Sequence, residues 1–191
     1  ASILGLLAVA AALAAMPGAG GAPVVVAPND LDGWQFRHGS CGDPTTGNQT
    51  FEEGPGVPPL GTGSLEMRVG SNGDSFETFR NSGFNGTLLS DLTSLGYSSY
   101  TDVDGAGGGQ AIYLILAVST TGGNTVDDQL FFEPAYQSGQ NASIPTQGPL
   151  VLDTWQSWDA LIGGWWSLNG FAGAGPGADV RTLAEYAEAF P

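Results

Sequence analysis

Four of the chain's five tryptophans, Trp155, Trp158, Trp165 and Trp166, lie within the window DTWQSWDALIGGWWS (153–167). Flat aromatic rings stack on the apolar C–H faces of sugar rings, and nearby carboxylates and amides take sugar hydroxyls. Trp155, Trp158, Trp165, Trp166, Gln156 and Asp159 therefore form a candidate glycan-binding set. Tryptophan also fills cores, and strand parity divides the window. Residues three apart, such as Trp155 and Trp158, point to opposite faces of a strand, and so do the adjacent Trp165 and Trp166. Within a strand, at most two of the four rings can share one face unless a bulge intervenes. Two arrangements remain open: the rings are mainly core, or at least one lines a ligand groove.

A second chemistry is suggested by TDVDG (101–105) and NTVDD (124–128), which place Asp102, Asp104, Asp127 and Asp128 in turn-like stretches. Calcium takes six to eight oxygens, and Asp-rich loops supply them. Neither stretch has the full EF-hand spacing, and solvated turns need no ion. Calcium is the one cofactor considered, and none is required. The lone His38 and Cys41 in RHGSC are too few for a zinc shell and do not make a triad by proximity in sequence.

Glycan cleavage would need two carboxylates about 5–9.5 Å apart. Glu66 and Glu133 lie on expected strands and Asp159 follows a tryptophan, but the chain has no E-x-D-x-x-E cluster. It also has no P-loop, H-E-x-x-H or G-x-S-x-G motif. No catalytic residue is assigned. The N-x-[ST] sequons at Asn48, Asn85 and Asn141 are glycosylation candidates only in a eukaryotic product.

Composition narrows the partners. The 191 residues carry 19 acidic groups against four basic ones (Arg37, Arg68, Arg80 and Arg181), a net charge of −15 with no lysine. Nucleic acid is excluded as a partner, because Lys and Arg supply most duplex affinity. A neutral glycan or a cation suits the charge.

The elements that must position these groups read as β-strands. With 31 glycines and 12 prolines scattered between apolar runs, the composition suits an all-β fold with many turns. Trp34 and Phe36 alternate as a first strand, and 39–63 reads as a long surface loop. In SLEMRV (64–69) Leu65, Met67 and Val69 share a face, the sign of a half-buried strand. SFETFRN (75–81) and one or two strands within 86–102 follow. AIYLILAV (111–118) is expected to be the central strand. DQLFFEPAY (128–136) and 149–161 follow, with GGWWSLN as hairpin partner of 149–161 or a turn. In ADVRTLAEYAEAF the period changes to helical, with Val180, Leu183, Ala184, Ala187 and Phe190 on one face and Asp179 as N-cap. The expected architecture is a two-sheet antiparallel β-sandwich of the jelly-roll kind with one short C-terminal helix.

At the N-terminus, Ile3–Met16 is an uncharged apolar run ending in small residues and Pro17, matching the h-region of a secretory leader. The expected organisation is a leader over 1–22, a linker over 23–30 and one domain over 31–191 that lacks a final strand. A retained anchor or pilin-like helix is the alternative. The leader implies a secreted or cell-surface protein with no membrane span once processed. Its single cysteine permits no intrachain disulfide.

Several segments in order, LSDLTSLGYSSY (89–100), AIYLILAV, DDQLFFEPAYQ (127–137), DTWQSWDA with GGWWS, and the TLAEY helix, resemble a group of secreted bacterial proteins with a concanavalin A/laminin-G-like β-sandwich. The resemblance covers about residues 60–190. It implies fold and export and transfers no catalytic residue; related sandwiches are often sugar-binding or calcium-binding. The reading from sequence is a monomeric, secreted, non-catalytic module that binds an extracellular or cell-surface glycan. The alternatives are a structural or adhesive surface domain and a glycan-active hydrolase.

Overall fold

The computed structural model describes residues 2–7, 26–40, 48–68, 75–102, 111–139, 141–171 and 179–191. Its centre is the apolar run that the sequence singles out as the central strand. Leu114–Ser119, β7, sits inside a six-stranded sheet, as expected for a run with no polar face to leave wet. Leu114, Leu116 and Val118 point inward and are fully buried. On one side β7 pairs with Asp128–Phe132, β8, where Asp128, Leu130 and Phe132 turn inward and Gln129 and Phe131 outward. The strand gives way to a 3-10 turn at Pro134–Tyr136, since Pro134 has no N–H for the ladder. Beyond β8 lies the two-residue strand Trp166–Ser167, β10.

On its other side β7 pairs with Ser2–Leu7, β1, which in turn pairs with Ser75–Asn81, β5, and β5 with Trp34–Ser40, β2. The order is β10-β8-β7-β1-β5-β2, and every pairing is antiparallel. Ser2–Leu7, part of the expected leader over 1–22, pairs within this sheet in the unprocessed chain. The rest of that stretch, 8–25, lies outside the described residues.

Two small antiparallel sheets complete the β-structure among the described residues: Asn48–Glu53 (β3) with Gly63–Arg68 (β4), and Gly96–Tyr100 (β6) with Trp155–Asp159 (β9). Both reach the core of the large sheet. Phe51 of β3 meets Phe79 of β5 edge-on with ring centres 6.2 Å apart, and Tyr97 of β6 meets Phe132 of β8 at 6.0 Å. One buried cluster joins them, including Trp34, Leu65, Phe79, Leu116, Phe132, Trp158 and Trp165.

The helix Leu183–Ala189, α1, closes this core with Leu183 and Tyr186. Its cap is Thr182 rather than the expected Asp179. Thr182 and Glu185 satisfy the T-x-x-E capping box, each side chain bonding the other's backbone N–H. The buried face runs through Leu183 and Tyr186, and Ala184 is exposed.

Three expectations about the strands change. The stretch 39–63 holds β3, whose Gln49 and Phe51 face inward while Thr50 and Glu52 face out; its glycines and prolines mark the connection after Glu53, not the whole segment. Strand β9 begins at Trp155 rather than near 149, with a turn at 152–154 before it. Finally, β10 pairs with β8, not with β9. The overall result is an all-β protein with one short helix.

Candidate functional site

Strand parity governs the tryptophan window as the sequence requires. Trp158 is 1% exposed and donates its indole N–H to Ser99 Oγ at 2.9 Å. Trp165 is 2% exposed, donates to the Ala160 carbonyl at 2.8 Å, and its ring lies 5.5 Å from Phe132. Their partners in parity, Trp155 and Trp166, are partly exposed on outward faces. Trp155 lies on β9 beside Tyr100, its ring 5.7 Å away, and donates to the Pro55 carbonyl at 2.8 Å. Trp166 lies on β10, in a different sheet.

The polar members of the candidate set have structural partners. Gln156 accepts from Val151 N and donates to the Pro149 carbonyl, holding the chain just ahead of its own strand. Asp159 Oδ1 accepts from Leu161 N and Ile162 N and so caps the turn after β9. The six residues therefore do not converge on one surface.

A different grouping forms around Trp166. Register sets Trp166 opposite Phe131 and Phe131 opposite Ile115, so a row of outward side chains crosses β10, β8 and β7. Three strands span about 10 Å. Trp166 and Phe131 stack nearly parallel, ring centres 4.0 Å apart and planes 5° apart. Tyr113, just before β7 and 39% exposed, tilts against Phe131 at 6.2 Å. Glu133 has the same outward parity, and its Oε1 accepts the Trp166 indole N–H at 2.7 Å.

Electrostatics at this face follow from partial burial. Desolvation pushes the Glu133 carboxyl above its ordinary value, with the Trp166 hydrogen bond pulling the other way. The hydroxyls of Tyr113 and Tyr136 are pushed up, first by burial and then by the Glu133 charge. Phe131 and Tyr113 were not singled out from sequence. The alternation in DQLFFEP carried half of the signal; the other half was the β8–β10 pairing, a non-local fact.

Two of the four acidic candidates for a cation, Asp127 and Asp128, are engaged by donors of the chain itself. Asp127 Oδ2 accepts from Thr120 N and from the hydroxyls of Ser119, Thr120 and Thr121, and these bonds hold its carboxyl below the usual value, the Thr120 N–H contributing most. Asp128 is buried; Oδ1 accepts from Gln129 N and Asn169 N, and Oδ2 from Ser167 Oγ and Tyr186 Oη. It thereby ties β8, β10 and α1 together, and burial followed by this hydrogen bond pushes the Tyr186 hydroxyl upward. Asp102 is exposed, and Asp104 lies outside the described residues, as does Cys41. No group of three or more His, Cys, Asp or Glu side chains comes together among the described residues. Glu66 pairs with Arg68 at 2.6 Å. Asn141 donates to the Val180 carbonyl and accepts from Ser143, so its amide serves the fold.

Fold and site together define an all-β, antiparallel protein with an aromatic sheet face bordered by one carboxylate. No protein-family model, curated protein or solved structure matches the chain. Among the described residues no helix is long and apolar enough to cross a membrane.

Proposed function

We propose that the chain is a secreted, monomeric, non-catalytic binding module for an extracellular or cell-surface glycan. The observation that carries this reading is the parallel stack of Trp166 on Phe131, flanked by the exposed Tyr113. Aromatic rings held flat by a neighbour offer a sugar a platform at little entropic cost. Trp155 beside Tyr100 is a secondary contact on the other sheet. The finer architecture proposed is a jelly-roll sandwich of the concanavalin A/laminin-G-like kind. Its support is that both small sheets send aromatic side chains to the same core as the large one. Calcium has no part in this reading.

A glycan array tests it. Trp166→Ala and Phe131→Ala are expected to weaken binding at least tenfold, and Trp155→Ala to weaken it less. A well-folded wild type that binds no glycan would sink the proposal. The structural or adhesive reading would then stand, favoured by the burial of Trp158 and Trp165.

Export rests on the apolar run Ile3–Met16. The pairing of Ser2–Leu7 in the sheet is a competing use of the same residues. The intact mass of protein recovered from medium decides between them. A product beginning after residue 22 supports a cleaved leader, and one retaining residues 2–7 assigns them to the fold.

A further inference from the structure

Glu133 restricts what the aromatic face can take. One of its oxygens, Oε1, holds the Trp166 N–H, and the other accepts no hydrogen bond from the described residues. The indole thus fixes a carboxylate at the edge of the ring on which a ligand would stack. The titratable groups that sense it are Tyr97, Tyr113 and Tyr136, and all three hydroxyls are shifted upward, so none is charged near neutrality. No arginine among the described residues answers it. Arg80 shares the same cross-strand row, but through Leu7 and Ile115 it stands four strands from Trp166, about 19 Å away. That exceeds a Debye length of about 8 Å at physiological salt. Arg181 bridges to Trp165, whose side chain takes the opposite face from that of Trp166. Arg68 is paired with Glu66, and Arg37 lies on β2 at the far edge of the sheet.

A half-buried carboxylate beside a stacking platform, in a chain of net charge −15, calls for a cation from the ligand. We infer that this face takes a glycan of unacetylated hexosamines, whose ammonium groups reach the free oxygen of Glu133 while the ring C–H face lies on Trp166. A positive group near an indole also gains from the ring quadrupole. A neutral sugar offers the free oxygen a hydroxyl but no counter-charge, and a uronate would be repelled. The inference rests on the glycan-binding reading above and names the sugar class.

Calorimetry on the full chain tests it, using a β-1,4-linked glucosamine hexamer, its fully N-acetylated counterpart and a glucose hexamer. The wild type is expected to bind the amine form at least tenfold tighter than the other two. Glu133→Gln keeps an oxygen for the Trp166 N–H and is expected to abolish that preference. Equal or tighter binding of the acetylated or neutral hexamer by the wild type would overturn the inference while leaving glycan binding in place. Binding of none of the three would remove both. Should Glu133→Gln fail to fold, salt decides on the wild type alone. Going from about 0.01 M to about 1 M cuts the Debye length from about 30 Å to about 3 Å. The preference is expected to shrink severalfold, and a preference unmoved by salt would overturn the assignment to Glu133.

Discussion

The side-chain amide of Gln137 and the peptide of Gly164 exchange two hydrogen bonds, Nε2 to the Gly164 carbonyl and Gly164 N to Oε1, each 2.9 Å long. Both groups are buried, and the same Nε2 also reaches the Glu133 carbonyl at 3.0 Å. An amide side chain thus replaces a strand partner at the turn leading from β9 to β10. Gln147 does the same for Asp159, accepting from its N–H and donating to its carbonyl. Gln137→Leu keeps the volume and removes the pairing. Leaving the Gly164 N–H and carbonyl buried without partners costs about 1–3 kcal/mol each. Urea unfolding is expected to show a total loss of about 2–6 kcal/mol, against under about 1 kcal/mol for Gln156→Ala, whose bonds are exposed. Equal losses would refute the distinction.

The two glycines of that turn are fixed by space rather than by backbone angle. A Cβ on Gly163 would lie 2.3 Å from Phe132 Cε2, and one on Gly164 would lie 2.6 Å from Val180 Cγ2. Gly164→Ala must therefore displace Val180, itself buried. Overpacking of a tight core costs about 1–3 kcal/mol, and a drop in thermal midpoint is the readout. Pairing Gly164→Ala with Val180→Ala is expected to recover part of that loss. No recovery would place the cost elsewhere.

These contacts show what the sequence held and what it withheld. Alternation identified β2 and β4, each with one face buried and one wet, and a continuous apolar run identified β7. The division of the tryptophan pairs was legible for the same reason. The T-x-x-E capping box at Thr182 and Glu185 is written in the sequence as well, three residues after the acidic Asp179 that competes with it as a cap. By contrast, β3 was concealed by neighbouring glycines and prolines. The aromatic face needed Trp166 to meet Phe131, 35 positions apart in the chain, which no local period encodes. Nor could spacing reveal that Asp127 and Asp128 are filled by hydroxyl and backbone donors, a matter of tertiary placement.

Asp127 and Glu133 give opposite pH slopes. The carboxyl of Asp127 is held below its ordinary value of 3.8 in the fold. Its contribution is thus fully present above that value and lost as pH falls through the folded one. Glu133 is shifted the other way, so its contribution is present below the ordinary glutamate value and lost as pH rises through the folded one. Denaturation midpoints across mildly to strongly acidic pH are expected to fall less steeply at the acid end for Asp127→Asn. For Glu133→Gln the decline on rising pH should disappear. Parallel profiles for both variants and wild type would show that neither group is linked to folding.

The division of the tryptophans can be read directly with a solution quencher. Trp34, Trp158 and Trp165 are buried, whereas Trp155 and Trp166 are partly exposed. Acrylamide quenching of the native chain is expected to resolve an accessible and a protected population. Trp166→Phe and Trp155→Phe should each diminish the accessible one and leave stability nearly unchanged. Trp158→Phe should diminish the protected one and destabilise the fold, since it vacates core volume and strips the donor from Ser99 Oγ. A loss of about 1–3 kcal/mol follows if the bond and the packing both matter. Because Trp166 also carries the proposed ligand platform, a bound glycan should shield it from acrylamide and leave Trp155 open. Protection of Trp155 alone would move the site to the β6–β9 sheet, and protection of neither would separate binding from both rings.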